Sequence, residues 1–146
     1  MTRTTKKTIL FSLLGLFAIG ASVAYYLYNK GLVDVEQASP DVKISSPELY
    51  QAFSTDSVAA NKKFSRKDEI VQVSGTVLTI TKNQQNNAII SLKTNEADAF
   101  INCTFLGPTE KVKEGDTIVL KGICIGINSD LGILGDVYMI RCYLVK

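Results

Sequence analysis

Three cysteines and a few close pairs of carboxylates are the side chains whose type could support catalysis or metal binding. Cys103, Cys124 and Cys142 are too far apart in sequence for any C-x-x-C metal or redox signature. Each shares its alternation with apolar neighbours: Ile101 and Phe105, Ile118 and Leu120, Ile140 and Leu144. The plain reading is therefore three buried small hydrophobes. The 146 residues contain no histidine, which excludes Ser-His-Asp and Cys-His pairs and any His-ligated metal. Asp68-Glu69, Glu96/Asp98 and Asp130/Asp136 all fall in predicted turns, where charged side chains are ordinarily just solvated. GICIG and LGILG do not join a strand to a helix, so neither is a phosphate cradle. The expectation is a chain with no catalytic residue, no metal and no cofactor, and hence not an enzyme.

Charge divides along the chain. The formal net charge is +2, yet residues 1–30 hold four bases (Arg3, Lys6, Lys7 and Lys30) and no acid. From Gly31 onward twelve Lys and Arg face fourteen Asp and Glu, a net of −2. Domains that grip nucleic acid neutralise phosphates with a basic surplus, and this one lacks it.

Between Lys7 and Lys30 run 22 uncharged residues, TILFSLLGLFAIGASVAYYLYN. At ~1.5 Å per residue a helix of that length covers roughly 33 Å, enough for a hydrocarbon core of ~30 Å. Tyr25, Tyr26 and Tyr28 sit at its far end, where amphipathic rings favour headgroups. With Arg3, Lys6 and Lys7 at the near end, the positive-inside bias keeps the N-terminus cytoplasmic and sends the rest across. Residues 1–30 are thus expected to be a single-pass anchor. The competing reading is a signal peptide cleaved after Ala24, given the small residues Ser22 and Ala24. Either way the remaining domain is periplasmic or otherwise extracytoplasmic. In such a compartment thiols tend to pair, so a disulfide between Cys124 and Cys142, on the last two strands, is a second reading of those cysteines.

Residues 31–45, GLVDVEQASPDVKIS, lack a sustained period and are expected to form a linker. Ser46-Pro47-Glu48 predicts a helix start, with Ser46 as N-cap and Leu49, Tyr50 and Phe53 as its apolar face. Asp56 predicts the cap of a second short helix ending near Phe64. From Ile70 the period becomes that of strands: IVQVSGTVLTI, AIISLKT, AFINCTF, TIVLKGICIGI and VYMIRCYLV. Gly75 is expected to bulge the first of these and shift its phase. Five strands, a long coiled first one and a break between the third and fourth describe a mainly β OB-fold barrel over residues 46–146, preceded by helices; another small barrel or sandwich would share the strand count.

In OB barrels the binding face is the outer side of strands two and three with the loops after strands one and four. Here that face carries Ile89, Ser91 and Lys93, then Phe100, Asn102 and Thr104, with Lys82 beside the Gln/Asn-rich loop. Lys82, Lys93, Phe100, Asn102 and Thr104 are the candidate ligand contacts: lysines for phosphates, Phe100 for stacking. One aromatic and two lysines are also ordinary for any sheet. Val119, Ile123 and Ile125 point outward on the fourth strand and are expected to pack under Leu49, Tyr50 and Phe53.

SPELYQAF, VAANKKF, VQVSGTV, INCTF, EGDTIVLKGIC and DVYMIRCYLV, in that order, resemble the tRNA-anti-like OB-fold family, whose members usually carry an N-terminal membrane or lipid anchor. The resemblance covers most of residues 46–146 and implies an OB barrel; the family name suggests nucleic-acid binding by analogy of fold. One departure is that 106–113 allows only about a turn where OB barrels usually place a helix. The leading expectation is a non-enzymatic binding module on a membrane anchor, whose partner is an envelope protein, a peptide, a glycan or another copy. A nucleic-acid-binding OB domain is the alternative.

Overall fold

The computed structural model of the protein describes residues 3–128 and 135–146, and it forms two compact units, 1–32 and 33–146. The first unit is one helix, α1 (Arg3–Asn29). From Phe11 to Asn29 none of its side chains is buried, although Phe11, Leu14, Leu16, Phe17 and Ile19 are among them. A helix that is apolar all round has no preferred face to lay on a protein core. The hydroxyl of Ser22 donates to the carbonyl of Ala18 at 2.8 Å, so this polar group is satisfied within the helix. The helix is long and apolar enough to cross a membrane, and a signal sequence would look the same.

The second unit contains β1 (Val42–Ser45), α2 (Ser46–Thr55), α3 (Ser57–Phe64), β2 (Val71–Lys82), β3 (Ala88–Lys93), β4 (Phe100–Phe105), β5 (Thr117–Ile127) and β6 (Val137–Leu144). Strands β2 to β6 close a barrel in the order β2-β3-β4-β6-β5, with β5 returning to β2. The β4–β6 pair is parallel and the other barrel pairs antiparallel, the OB arrangement. The link from β4 to β5 carries no helix. β2 is long because it serves two neighbours: Val71 to Thr76 pair with β5, and Val77 to Lys82 with β3.

The phase shift in β2 lies at Leu78, between Val77 and Thr79, not at Gly75. Val71, Val73 and Val77 keep one alternation and are buried, and the bulge then turns Ile80 toward Ile90. Gly75 has a different duty. A Cβ there would collide with the side chain of Ser46 and lie 3.2 Å from Leu92 Cδ1.

The helix start also differs from the expected one by a residue. Ser45 is the N-cap: its hydroxyl accepts from the Glu48 amide at 3.4 Å, while the Glu48 carboxylate accepts from the Ser45 amide at 3.2 Å. Ser46 is buried instead, and its hydroxyl donates to the Lys93 carbonyl at 2.6 Å, tying α2 to β3. Either serine satisfies the local cap signal; the long-range partner at Lys93 decides between them. Asp56 caps α3 as expected, accepting from the Ala59 amide at 3.0 Å.

The stretch expected to be a linker folds onto the barrel from Val33. Val35 is buried, β1 pairs in parallel with β2, and the Asp41 carboxylate accepts from the Ile70 amide at 2.8 Å. Lys121 donates to the carbonyls of Glu36 and Ala38, both at 2.8 Å, and Arg141 donates to that of Val33 at 2.7 Å. Cations on the barrel hold this strap by its backbone, so no apolar period is needed to dock it.

Leu49, Tyr50 and Phe53 of α2, with Ala60 and Phe64 of α3, join one core with the inward residues of the barrel. They do not cover the outer side of β5: Ile125 remains 56% exposed. α3 instead meets β5 at Gly126, which Asn61 approaches and whose φ of +124° favours glycine.

Candidate ligand-binding face

Pairing of β3 with β4 sets Ile89 opposite Thr104, Ser91 opposite Asn102 and Lys93 opposite Phe100. Directly paired residues point to the same side of a sheet. Ile90, Leu92, Ile101, Cys103 and Phe105 fill the interior, so the six others share the outer surface. Lys93, Phe100, Asn102 and Thr104 are therefore brought together as expected.

Lys82 is not among them. It pairs with Ala88, in the same alternation that sets Ile80 opposite Ile90 in the interior. Its side chain stands at the barrel rim, in a cavity of about 620 Å³ shared with Asn86, Asn87, Leu106, Pro108 and Val112. It stands beside the Gln/Asn-rich loop that follows β2, apart from the outer face of β3 and β4.

The parallel partner β6 completes the face. Tyr138 lies opposite Asn102 and is 39% exposed. A hydrogen-bonded chain runs from β3 through β4 to the residue before β6: the Ser91 hydroxyl donates to Asn102 Oδ1 at 2.6 Å, and Asn102 Nδ2 donates to Asp136 Oδ2 at 2.7 Å. Asp136 Oδ1 also accepts from the Phe100 backbone amide at 2.9 Å. This chain fixes which way the Asn102 amide faces. It also sets a carboxylate beside Phe100, at the end of the face where β4 and β6 begin.

Lys93 and Phe100 line a smaller cavity of about 290 Å³ together with Leu78 and Glu96. Burial raises the pKa of the Tyr50 phenol, and the charges of Glu96 and Asp136 raise it further. Asp136 and Tyr138 were not among the sequence-derived contacts. Tyr138 was visible in principle as the outward residue between Val137 and Met139. Asp136 looked like one more turn carboxylate, and its partner in that reading, Asp130, lies outside the described residues.

The cysteines belong to the interior. All three are buried and free. The Cys124–Cys142 bridge, the second reading of these residues, is not formed in the structure, whose register sets Cys124 opposite Met139. Cys142 lies against Gly122, where a Cβ would come within 2.7 Å of its sulfur. Burial pushes the Cys124 thiol up to about 11 and raises that of Cys142 well above its ordinary value. Among the described residues no three Cys, Asp or Glu side chains are grouped so as to hold a metal ion.

With this geometry in place, the sequence pattern of the tRNA_anti-like family matches residues 1–137. The chain belongs to the tRNA_anti-like family. No curated protein matches it. Among solved structures, this family member is similar to a putative nucleic acid-binding lipoprotein from Klebsiella pneumoniae subsp. pneumoniae MGH 78578. The two are 14% identical, with a TM-score of 0.50 over 71% of this chain and 92% of the other. At that identity the likeness speaks for the fold.

Proposed function

We propose that the protein is a non-enzymatic binding module, carried to the far side of a membrane by its N-terminal helix, which takes its ligand on the outer face of β3, β4 and β6. The partner is an envelope component: a protein, a peptide or a glycan. The observation that carries this reading is the Ser91–Asn102–Asp136 chain. It commits one end of the face to ordered hydrogen bonding around a carboxylate and leaves Lys93 as the cation in the β3–β4 part of it. A chain without histidine also lacks the side chain most often used for nucleophilic activation and acid–base work, which supports the non-enzymatic reading.

The second reading is a nucleic-acid-binding OB domain. It is supported by the family name and by the description of the Klebsiella protein. A topology reporter fused after Lys146 separates them by compartment: an active extracytoplasmic reporter is expected, and one active only in the cytoplasm contradicts the proposal. Micromolar binding of single-stranded DNA or RNA in moderate salt, lost on Phe100→Ala, would replace the first reading with the second.

A further inference from the structure

We propose that the outer side of β5 and β6, through Ile123, Ile125 and Ile140, rests on the headgroup layer of the membrane that the N-terminal helix enters, with zwitterionic lipid as its partner. The proposal rests on the reading of α1 as an uncleaved anchor and adds which side of the barrel meets the bilayer. α1 ends at Asn29, and the strap is held to the barrel from Val33, whose carbonyl accepts from Arg141 at 2.7 Å. Only Lys30, Gly31 and Leu32 lie between. Four residue steps of at most ~3.6 Å each reach no more than about 14 Å. Tyr25, Tyr26 and Tyr28 set the end of the apolar run among the headgroups, so the barrel can stand no further than that from lipid.

The register of β5 and β6 decides what lies beside Val33. Lys121 pairs with Tyr143 and Ile123 with Ile140, which leaves Arg141 at a bulge on β6. Ile140 is therefore the next residue along that strand, Ile123 faces it, and Ile125 follows on the same side of β5 at ~6.6 Å. Cys124 and Met139, in the opposite alternation, fill the interior. Ile123 is half-buried, but Ile140 is 36% and Ile125 56% exposed. An apolar surface is thus left open at the place where the chain departs for the bilayer. Charge there has no net sign: Lys30 and Arg141 are matched by Asp34 and Glu36. That balance suits headgroups carrying both charges, and Arg141 keeps N–H groups for lipid phosphate beyond the one given to Val33. The short tether holds the surface at high effective concentration, so a small patch suffices. In the strand order β2-β3-β4-β6-β5, β3 adjoins neither β5 nor β6, and docking on those two turns Ser91 and Lys93 away from the bilayer.

The chain has no tryptophan, so one introduced residue reports its own surroundings. Full chains carrying Ile125→Trp or, as a reference on β3, Ile89→Trp are recovered from cell membranes, checked by intact mass and reconstituted into phosphatidylcholine vesicles with or without brominated acyl chains. Bromolipid quenching of Ile125→Trp is expected to exceed that of Ile89→Trp about threefold, since interfacial groups sit ~5–10 Å into the headgroup–acyl boundary. Adding Ile140→Asp to Ile125→Trp should lower the quenching about twofold, with circular dichroism confirming the barrel. A Gly-Ser insert of about twenty residues after Gly31 should lower it as well. Equal quenching at the two sites overturns the docking and leaves the anchor standing. A blue-shifted but unquenched Ile125→Trp means that protein, such as a second copy, covers the patch, and also overturns it. A recovered product that starts at Tyr25 overturns anchor and docking together.

Discussion

Along β4, Ile101, Cys103 and Phe105 are no more than 1% exposed, while Phe100, Asn102 and Thr104 stand half-buried on the opposite side. The inward set is interchangeable in kind: its members need volume and apolarity, and the free thiol of Cys103 serves as a small hydrophobe. The outward set is specific in kind, because Asn102 has one donor and one acceptor already assigned to Asp136 and Ser91. Neighbours one residue apart therefore answer to different pressures. Substitutions inside should be read out in stability, and those outside in binding.

The sharpest contrast is expected in thiol chemistry. With Cys124 held at about 11 by burial, its thiolate is scarcer by about two decades than that of an ordinary cysteine near 9. Alkylation of native protein at pH 8 should leave all three thiols intact, whereas an added Thr104→Cys on the outer face should react within minutes. Mapping of oxidised protein should find no Cys124–Cys142 peptide pair; finding one would mean that the register of β5 and β6 is not the one described. The raised thiol also has a consequence for stability. The unfolded chain ionises Cys124 first, so its contribution is intact below about pH 8.5 and declines as pH rises toward 11.

Ile101→Ala, a truncation in the interior, should cost about 3 kcal/mol in urea denaturation. Asn102→Ala should cost about 1 kcal/mol yet remove ligand binding. Equal costs for the two would erase the division drawn along β4. Gly75→Ala forces a Cβ against Ser46 and should cost about 2 kcal/mol. Pairing it with Ser46→Ala should recover part of that loss, since the hydroxyl is the nearest atom it strikes while the Ser46 Cβ at 2.9 Å stays.

The smallest effect is expected at the α2 cap. Ser45→Ala should cost about 1 kcal/mol at neutral pH. Glu48 has its pKa lowered, first by the Ser45 hydroxyl and then by the Ser45 amide. Its contribution is present above the unfolded value near ~4.3 and is lost as pH falls through the lower folded value. The gap between wild type and Ser45→Ala in a urea series should accordingly narrow below pH 4.

The barrel was legible in the sequence because each strand shows its own alternation, and because Gly-Pro and Asn-rich stretches separate them. The outward positions on β3 and β4 followed from that alternation without any knowledge of the fold's closure. What local pattern could not supply were the long-range partners. Ser45 and Ser46 are both plausible caps until Lys93 claims Ser46. The strap from Val33 has no period of its own, since Lys121 and Arg141 hold its carbonyls from the far end of the chain. The reversal of phase in β2 was legible from Leu78 and Ile80, but its place was not: the extra residue is Leu78, whereas Gly75 stays in register with β5. Asp136 and Tyr138 joined the face only through the parallel pairing of β4 with β6, a contact that no short-range signal announces.

The central claim is that the β3–β4–β6 face is built around hydrogen bonding and stacking, not phosphate neutralisation. The most direct test is the salt dependence of oligothymidine affinity for the full chain, followed by fluorescence anisotropy. Lys93 alone supports a log–log slope no steeper than about −0.7, the value for one phosphate contact on a single strand. A slope of about −2 or steeper, flattened by Lys93→Ala and steepened by Asp136→Asn, would contradict it.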